Sequence, residues 1–149
     1  MDRKSNMEPD KTISKTINIT ATPAKIWNAL TNPELIKLWM SDAELEIISG
    51  WVIGSPIILK TNLNGKHEFK GKILQMEPGK IFQYSSWSKI SRLPDIPENY
   101  SLIEFRLTPM ENQTSLSVTH SNLIAKAAVE HSNYYWNIAL ELIRRLVER

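Results

Sequence analysis

The sequence contains no cysteine, which excludes disulfide scaffolds, thiolate metal sites and cysteine nucleophiles together. Charge of one sign is also scarce. Lys and Arg number 18 against 16 Asp and Glu, for a formal net charge of +2, too little to capture nucleic acid or an anionic membrane. The basic residues are spread along the chain, and no stripe interleaves them with aromatics as in single-strand binders. No apolar run approaches the roughly 20 residues of a membrane span. Met1 to Lys11 is polar and charged, without the apolar stretch of a secretory signal. The expectation is a cytoplasmic protein with no nucleic-acid partner and no stable membrane insertion.

Chemical motifs are equally sparse. No His-x-x-x-His, Glu-x-x-His or carboxylate cluster sets metal ligands on one face, so no metal is expected. Neither a Gly-rich phosphate loop nor a Gly-x-Ser-x-Gly elbow occurs, and no cofactor is expected. What the chain does have is tryptophan, five in 149 residues: Trp27, Trp39, Trp51, Trp87 and Trp136. Each must bury a large ring and satisfy one N–H. Together they imply a large core or the wall of a cavity.

Residues 1–11 read as a disordered tail and 12–149 as one domain, of a size that buries roughly two thirds of its unfolded surface. Ile13, Ile17 and Ile19 alternate with polar residues, a half-buried strand. Thr22 with Pro23, and Asn32 with Pro33, are two cap–proline pairs that each open a short helix. Ile26, Trp27 and Leu30 give the first its apolar face; Leu35, Leu38 and Trp39 give the second. Strands follow at 43–48, 57–61, 68–76, 80–87, 100–108 and 114–121. Turns fall at Asn64-Gly65, Pro78-Gly79 and 111–113, and a loop at Ser88 to Asn99. From about Ala125 the period lengthens: Trp136, Ala139, Leu140, Ile143, Leu146 and Val147 form one stripe of a long amphipathic helix, roughly 36 Å if it runs to 148. A six- to seven-stranded antiparallel sheet must bury one face, and only this helix can cover it. The fold class is therefore α+β: a curved antiparallel sheet gripping a long C-terminal helix.

The run Thr22-Pro-Ala-Lys-Ile-Trp-Asn-Ala-Leu-Thr-Asn-Pro-Glu-Leu-Ile-Lys-Leu-Trp39 resembles the opening of the START-like (SRPBCC, Bet v 1-like) superfamily. It is most similar to the branch related to the C-terminal domain of the activator of the Hsp90 ATPase. Gly71 to Phe82 resembles the central hairpin of that branch, Thr114 to His120 its last strand, and Tyr135 to Ile143 its terminal helix. The resemblance covers about 12–148 and implies a helix-grip fold. Ile53-Gly54 keeps one glycine where the family often has two, and the Ser88–Asn99 segment is longer than usual, a lid or a surface insertion. The superfamily hosts carriers, cyclases, receptors and co-chaperone domains, so fold alone does not choose among them.

Alternation places Phe69, Ile73, Phe82 and Tyr84 inward, with Ile103, Phe105, Leu116 and Val118. Trp39, Trp51, Trp136 and Leu140 join them from the helices and the tight connection between Ser49 and Pro56. Singly each reads as core filling; as a set they read as the wall of an apolar pocket. A bulge would exchange inward and outward sets. His120 continues the inward phase and is either a general base or a structural histidine bonded to a neighbouring backbone or Trp. His67 and His131 are expected to be exposed, and Glu104 and Arg106 to face outward, with Glu104 paired across strands. Three functions follow. The first is non-enzymatic binding of a small hydrophobic, lipid-like or polyketide-like molecule. The second is a protein-interaction module like the co-chaperone domain, as a homodimer or with a protein partner. The third is a cyclase- or hydrolase-type enzyme using His120 or Tyr84.

Overall fold

Two proline-opened helices and one long helix are set against seven strands in the computed structural model, which describes residues 11–41, 44–62 and 65–149. In chain order these are β1 (Ile13–Ile19), α1 (Pro23–Thr31), α2 (Pro33–Trp39), β2 (Glu44–Ser49) and β3 (Pro56–Asn62). Then come β4 (Lys66–Glu77), β5 (Ile81–Ser86), β6 (Ser101–Met110), β7 (Gln113–Ser121) and α3 (Lys126–Glu148). The expected tail lies outside the described residues except for Lys11, whose carbonyl accepts the Leu123 N–H at 3.0 Å. Asn64 of the expected turn also lies outside them; Gly65 has a φ of +113°.

The caps form as their chemistry requires. Thr22 Oγ1 accepts the Lys25 N–H at 3.2 Å, and Asn32 Oδ1 accepts the Glu34 N–H at 3.0 Å. Pro23 and Pro33 occupy first-turn positions where no N–H is needed. The face of α2 differs from expectation. Ile36 and Trp39 are buried, whereas Leu38 is 61% exposed. A seven-residue helix touches its neighbours along one narrow line, and Ile36 to Trp39, three apart, defines it.

All seven strands join one antiparallel sheet in the order β1-β7-β6-β5-β4-β3-β2. Its inner face reads directly from the register. One row runs Ile73–Tyr84–Ile103–His120–Ile13, and the next runs Met76–Phe82–Phe105–Val118–Lys15. Between Ile73 and Gln75 the β4–β5 register shifts by one, so Leu74 is an extra residue and Met76, not Gln75, takes the inward phase. At Gly71 the two strands approach so closely that a Cβ would lie 1.7 Å from the Ser85 carbonyl oxygen. The Lys72 N–H bonds Ser85 Oγ at 3.1 Å in place of a ladder bond. Glycine is required there by contact, and the sheet bends around it.

Helix α3 lies across the concave face with Trp136, Ala139, Leu140, Ile143 and Val147 buried; Leu146 of the expected stripe is only partly buried. On its other side Glu141 ion-pairs with Arg144 and with Arg145, at 2.9 Å in the second case. Those bonds hold the Glu141 carboxyl down at about 2. Among the described residues no helix is long and apolar enough to cross a membrane.

Candidate binding site at the open end of the grip

The inner wall is an aromatic network. Phe82 lies 5.3 Å from Tyr84, 6.1 Å from Trp51, 6.2 Å from Trp27 and 6.3 Å from Phe105. Phe105 meets Trp136 at 5.5 Å and Trp39 at 6.2 Å. Trp39 Nε1 donates to the Ala29 carbonyl at 2.8 Å, which satisfies its one polar atom inside the core. Ile73, Ile103, Leu116, Val118 and Leu140 are buried beside these rings. Trp51 is held with a φ of +57°, a sparsely populated conformation for a bulky residue, and its ring caps Phe82. The structure thus brings eleven of the thirteen sequence-derived wall residues to one core, Trp51 as a partly buried neighbour. The exceptions are His120 and Phe69, which keep the inward phase but are only partly buried and lie outside the buried cluster.

Phe69 lies near the start of β4, opposite Leu59 towards the end of β3. A cleft of about 1180 Å³ opens there. Its walls come from Lys37 of α2, the ends of β2, β3 and β4, and the segment Trp87–Asp95. Leu45, Thr61 and His67 line it and share the sheet phase of Ile57, Leu59 and Phe69, so its floor continues the inner face. His67 was expected to be exposed and is half-buried instead; its even offset from Phe69 keeps it inward.

Beside the aromatic core lies a polar layer. Trp136 Nε1 donates to His120 Nδ1 at 3.1 Å, so the His120 proton sits on Nε2, which faces Ser101 Oγ at 3.0 Å. Ser101 Oγ in turn donates to the Ser86 carbonyl at 3.4 Å. A second proton on the ring would oppose the Trp136 N–H. Burial, with a smaller contribution from His131, holds His120 down to about 4. His120 is therefore neutral with both nitrogens engaged, a link between α3 and β6. Tyr135 Oη donates to the Met40 carbonyl at 2.8 Å, fastening α3 to the end of α2. Burial pushes the phenols of both Tyr84 and Tyr135 well above their ordinary value.

The Ser88–Asn99 segment is tied down along its length. Lys70 Nζ lies 2.6 Å from Asp95 and 5.5 Å over the Trp87 ring. Tyr100 Oη donates to Asp95 at 2.6 Å, and Trp87 Nε1 donates to the Leu93 carbonyl at 3.2 Å. Asn122 Nδ2 reaches the Glu98 and Tyr100 carbonyls, both at 2.9 Å. Glu104, expected to pair across strands, bonds Gln83 Nε2 at 2.8 Å and ion-pairs within its own strand with Arg106. Ser86, Ser101 and Tyr135 escaped the sequence reading. The two serines alternate in phase with Tyr84 and Ile103, and Tyr135 is hidden beside the Trp136 stripe. Among the described residues no group of His, Asp or Glu could hold a metal ion.

A seven-stranded antiparallel sheet closed on one long helix, with two short helices after its first strand, is the START-like helix-grip architecture. Residues 20–148 match the family described as activator of Hsp90 ATPase homolog 1-like protein, and the chain belongs to that family. A solution structure from Cytophaga hutchinsonii (ChR145) is 34% identical, with a TM-score of 0.79 over 92% of this chain and 93% of that one. The solution structure of the Aha1 dimer from Colwellia psychrerythraea is 30% identical, with a TM-score of 0.72 over 92% and 96%. The crystal structure of CV1439 from Chromobacterium violaceum, 20% identical with a TM-score of 0.82 over 93% and 98%, shares the fold. Comparison with curated proteins gives no match.

Proposed function

We propose that the protein is a non-catalytic binding domain that holds a small hydrophobic molecule between the sheet and α3, admitted through the open-end cleft. The observation that carries this reading is the cleft itself. At about 1180 Å³ it has ligand-sized volume; beneath a charged rim of Lys and Glu side chains, Leu45, Thr61 and His67 line it in the same sheet phase as Leu59 and Phe69 of the inner face. The binding-type fold of the family supports it. The thirteen wall residues enter the proposal in three parts: Phe69 as direct contact near the mouth, His120 in the polar layer, and the other eleven, ten buried and Trp51 partly so, as the floor that shapes the space. His120 belongs to the polar layer as a structural link with both ring nitrogens engaged, which argues against its use as the base of a cyclase or hydrolase step. Titration with Nile red, a neutral apolar dye, should show saturable uptake, quenching of tryptophan fluorescence, and one bound molecule per chain by native mass spectrometry. Absence of saturable uptake across a panel of apolar compounds would overturn the reading.

A second reading, a protein-interaction surface, draws on Val52 and Ile53, which are 60% and 64% exposed at the tip between β2 and β3. Light scattering tests for a homodimer, with the dimeric Colwellia relative as the precedent. A mass near 17.1 kDa at all concentrations would exclude it.

A further inference from the structure

Tyr84 carries a polar atom that the core does not use. The residue is only 3% exposed, between Ile73 and Ile103 on the inner face, with its ring against Phe82. Among the described residues its hydroxyl has no hydrogen-bond partner, although every fully sealed side-chain nitrogen and oxygen has one. The Tyr84 oxygen is therefore not fully sealed by packed carbon. A phenylalanine at the same place would leave no unpaired hydroxyl.

The surroundings of that oxygen define what it can meet. Tyr135 is the neighbouring polar group: the two phenols are close enough for the charge on one to oppose ionisation of the other. Tyr135 donates its proton to the Met40 carbonyl and keeps only its lone pairs for anything else. No charged side chain acts on Tyr84, whose ionisation is opposed by burial alone. An ionised group in this space would lose its water without gaining a counter-charge, and such a transfer is strongly unfavourable.

From this geometry we infer that Tyr84 is the interior polar anchor of the binding space, and that the ligand is an uncharged, mainly apolar molecule with a hydrogen-bond-accepting oxygen, such as a ketone, ester or alcohol. The Tyr84 O–H donates to that oxygen; an alcohol can also donate to Tyr135. The lysines at the rim of the cleft face water and do not select for a carboxylate inside. The inference rests on the cavity-binding reading above and narrows it to a chemical class.

The test compares a twelve-carbon methyl ketone, dodecane and dodecanoate as competitors of Nile red on the intact protein, with Tyr84→Phe alongside. The ketone should displace the dye from the wild type about tenfold more tightly than dodecane or dodecanoate. Tyr84→Phe should lose that preference while still binding dodecane. A wild type that binds ketone and dodecane alike, or dodecanoate best, overturns the anchor and leaves cavity binding standing. If Nile red and all three compounds fail to bind, the cavity reading itself falls. The wild-type ranking decides the matter even if the variant folds poorly. Should it fold, equal ketone affinity in Tyr84→Phe and wild type also overturns the anchor.

Discussion

Acid should destabilise this domain through one histidine. In the folded protein Trp136 donates to His120 Nδ1 while burial strips the ring of water, and the imidazole takes a second proton only near pH 4. In the unfolded chain it does so near its ordinary 6.5. Between those values the unfolded state binds a proton that the folded state refuses, so stability is complete above about 6.5. It falls as the pH drops, and the loss levels off below about 4. At about 1.4 kcal/mol for each tenfold change, the interval corresponds to roughly 3 kcal/mol; the partly accessible ring edge brings this to about 2–3 kcal/mol. Carboxylates such as Glu141, held down to about 2, add their own loss at lower pH. Their contribution is separated by His120→Asn, whose side-chain oxygen can still accept from Trp136 but does not titrate. Urea unfolding of both proteins at pH 7.0 and 4.5 gives the measurement. The wild type should lose about 2 kcal/mol more than the variant. Equal losses, or an NMR titration placing His120 near 6.5 in the folded protein, would refute the reasoning.

Trp136→Phe keeps the ring packing against Phe105 but removes the N–H. It should cost about 1–2 kcal/mol in urea unfolding and raise the NMR-measured pKa of His120, because Nδ1 is freed to accept a proton. Gly71→Ala places a carbon 1.7 Å from the Ser85 carbonyl and should cost roughly 3 kcal/mol or prevent folding, read by circular dichroism and melting. Asp95→Asn removes the ion pair with Lys70. Because that pair is partly exposed, the melting temperature should stay within a few degrees while limited proteolysis in 88–99 accelerates.

Much of the fold was legible because its signals are local. Thr22-Pro23 and Asn32-Pro33 announce helix starts through capping chemistry that needs no tertiary context. The step from a two-residue to a 3.6-residue period likewise marks α3. The inward phase of the candidate wall residues could be read because alternation is preserved up to Ile73, and the Leu74 bulge falls after the last of them on β4. What local pattern could not reveal was the polar layer. Ser86, Ser101 and His120 become neighbours only through the β5–β6–β7 register, and Tyr135 meets Met40 only when α3 docks. Leu38 and His67 were misplaced for the same reason, since exposure is decided by which neighbours arrive. Phe69 had the correct phase but a different surrounding, because β4 runs on past the end of β5.

Strands β1 and β2 follow one another in the chain yet stand at opposite edges of the sheet. Among the described residues the one strand partner of β1 is β7, with Ile19 opposite Thr114 and Ile13 opposite His120. On the ribosome, β1 must therefore wait for roughly a hundred further residues before its hydrogen bonds can form. The β2–β6 meander can assemble in the meantime, each strand pairing with the one just made. Closing the loop between β1 and β7 is then a late and entropically costly step. Until it happens the unpaired edges of β1 and β7 are open to another nascent chain, and the isoleucines of β1 are the part of this protein most exposed to misassembly.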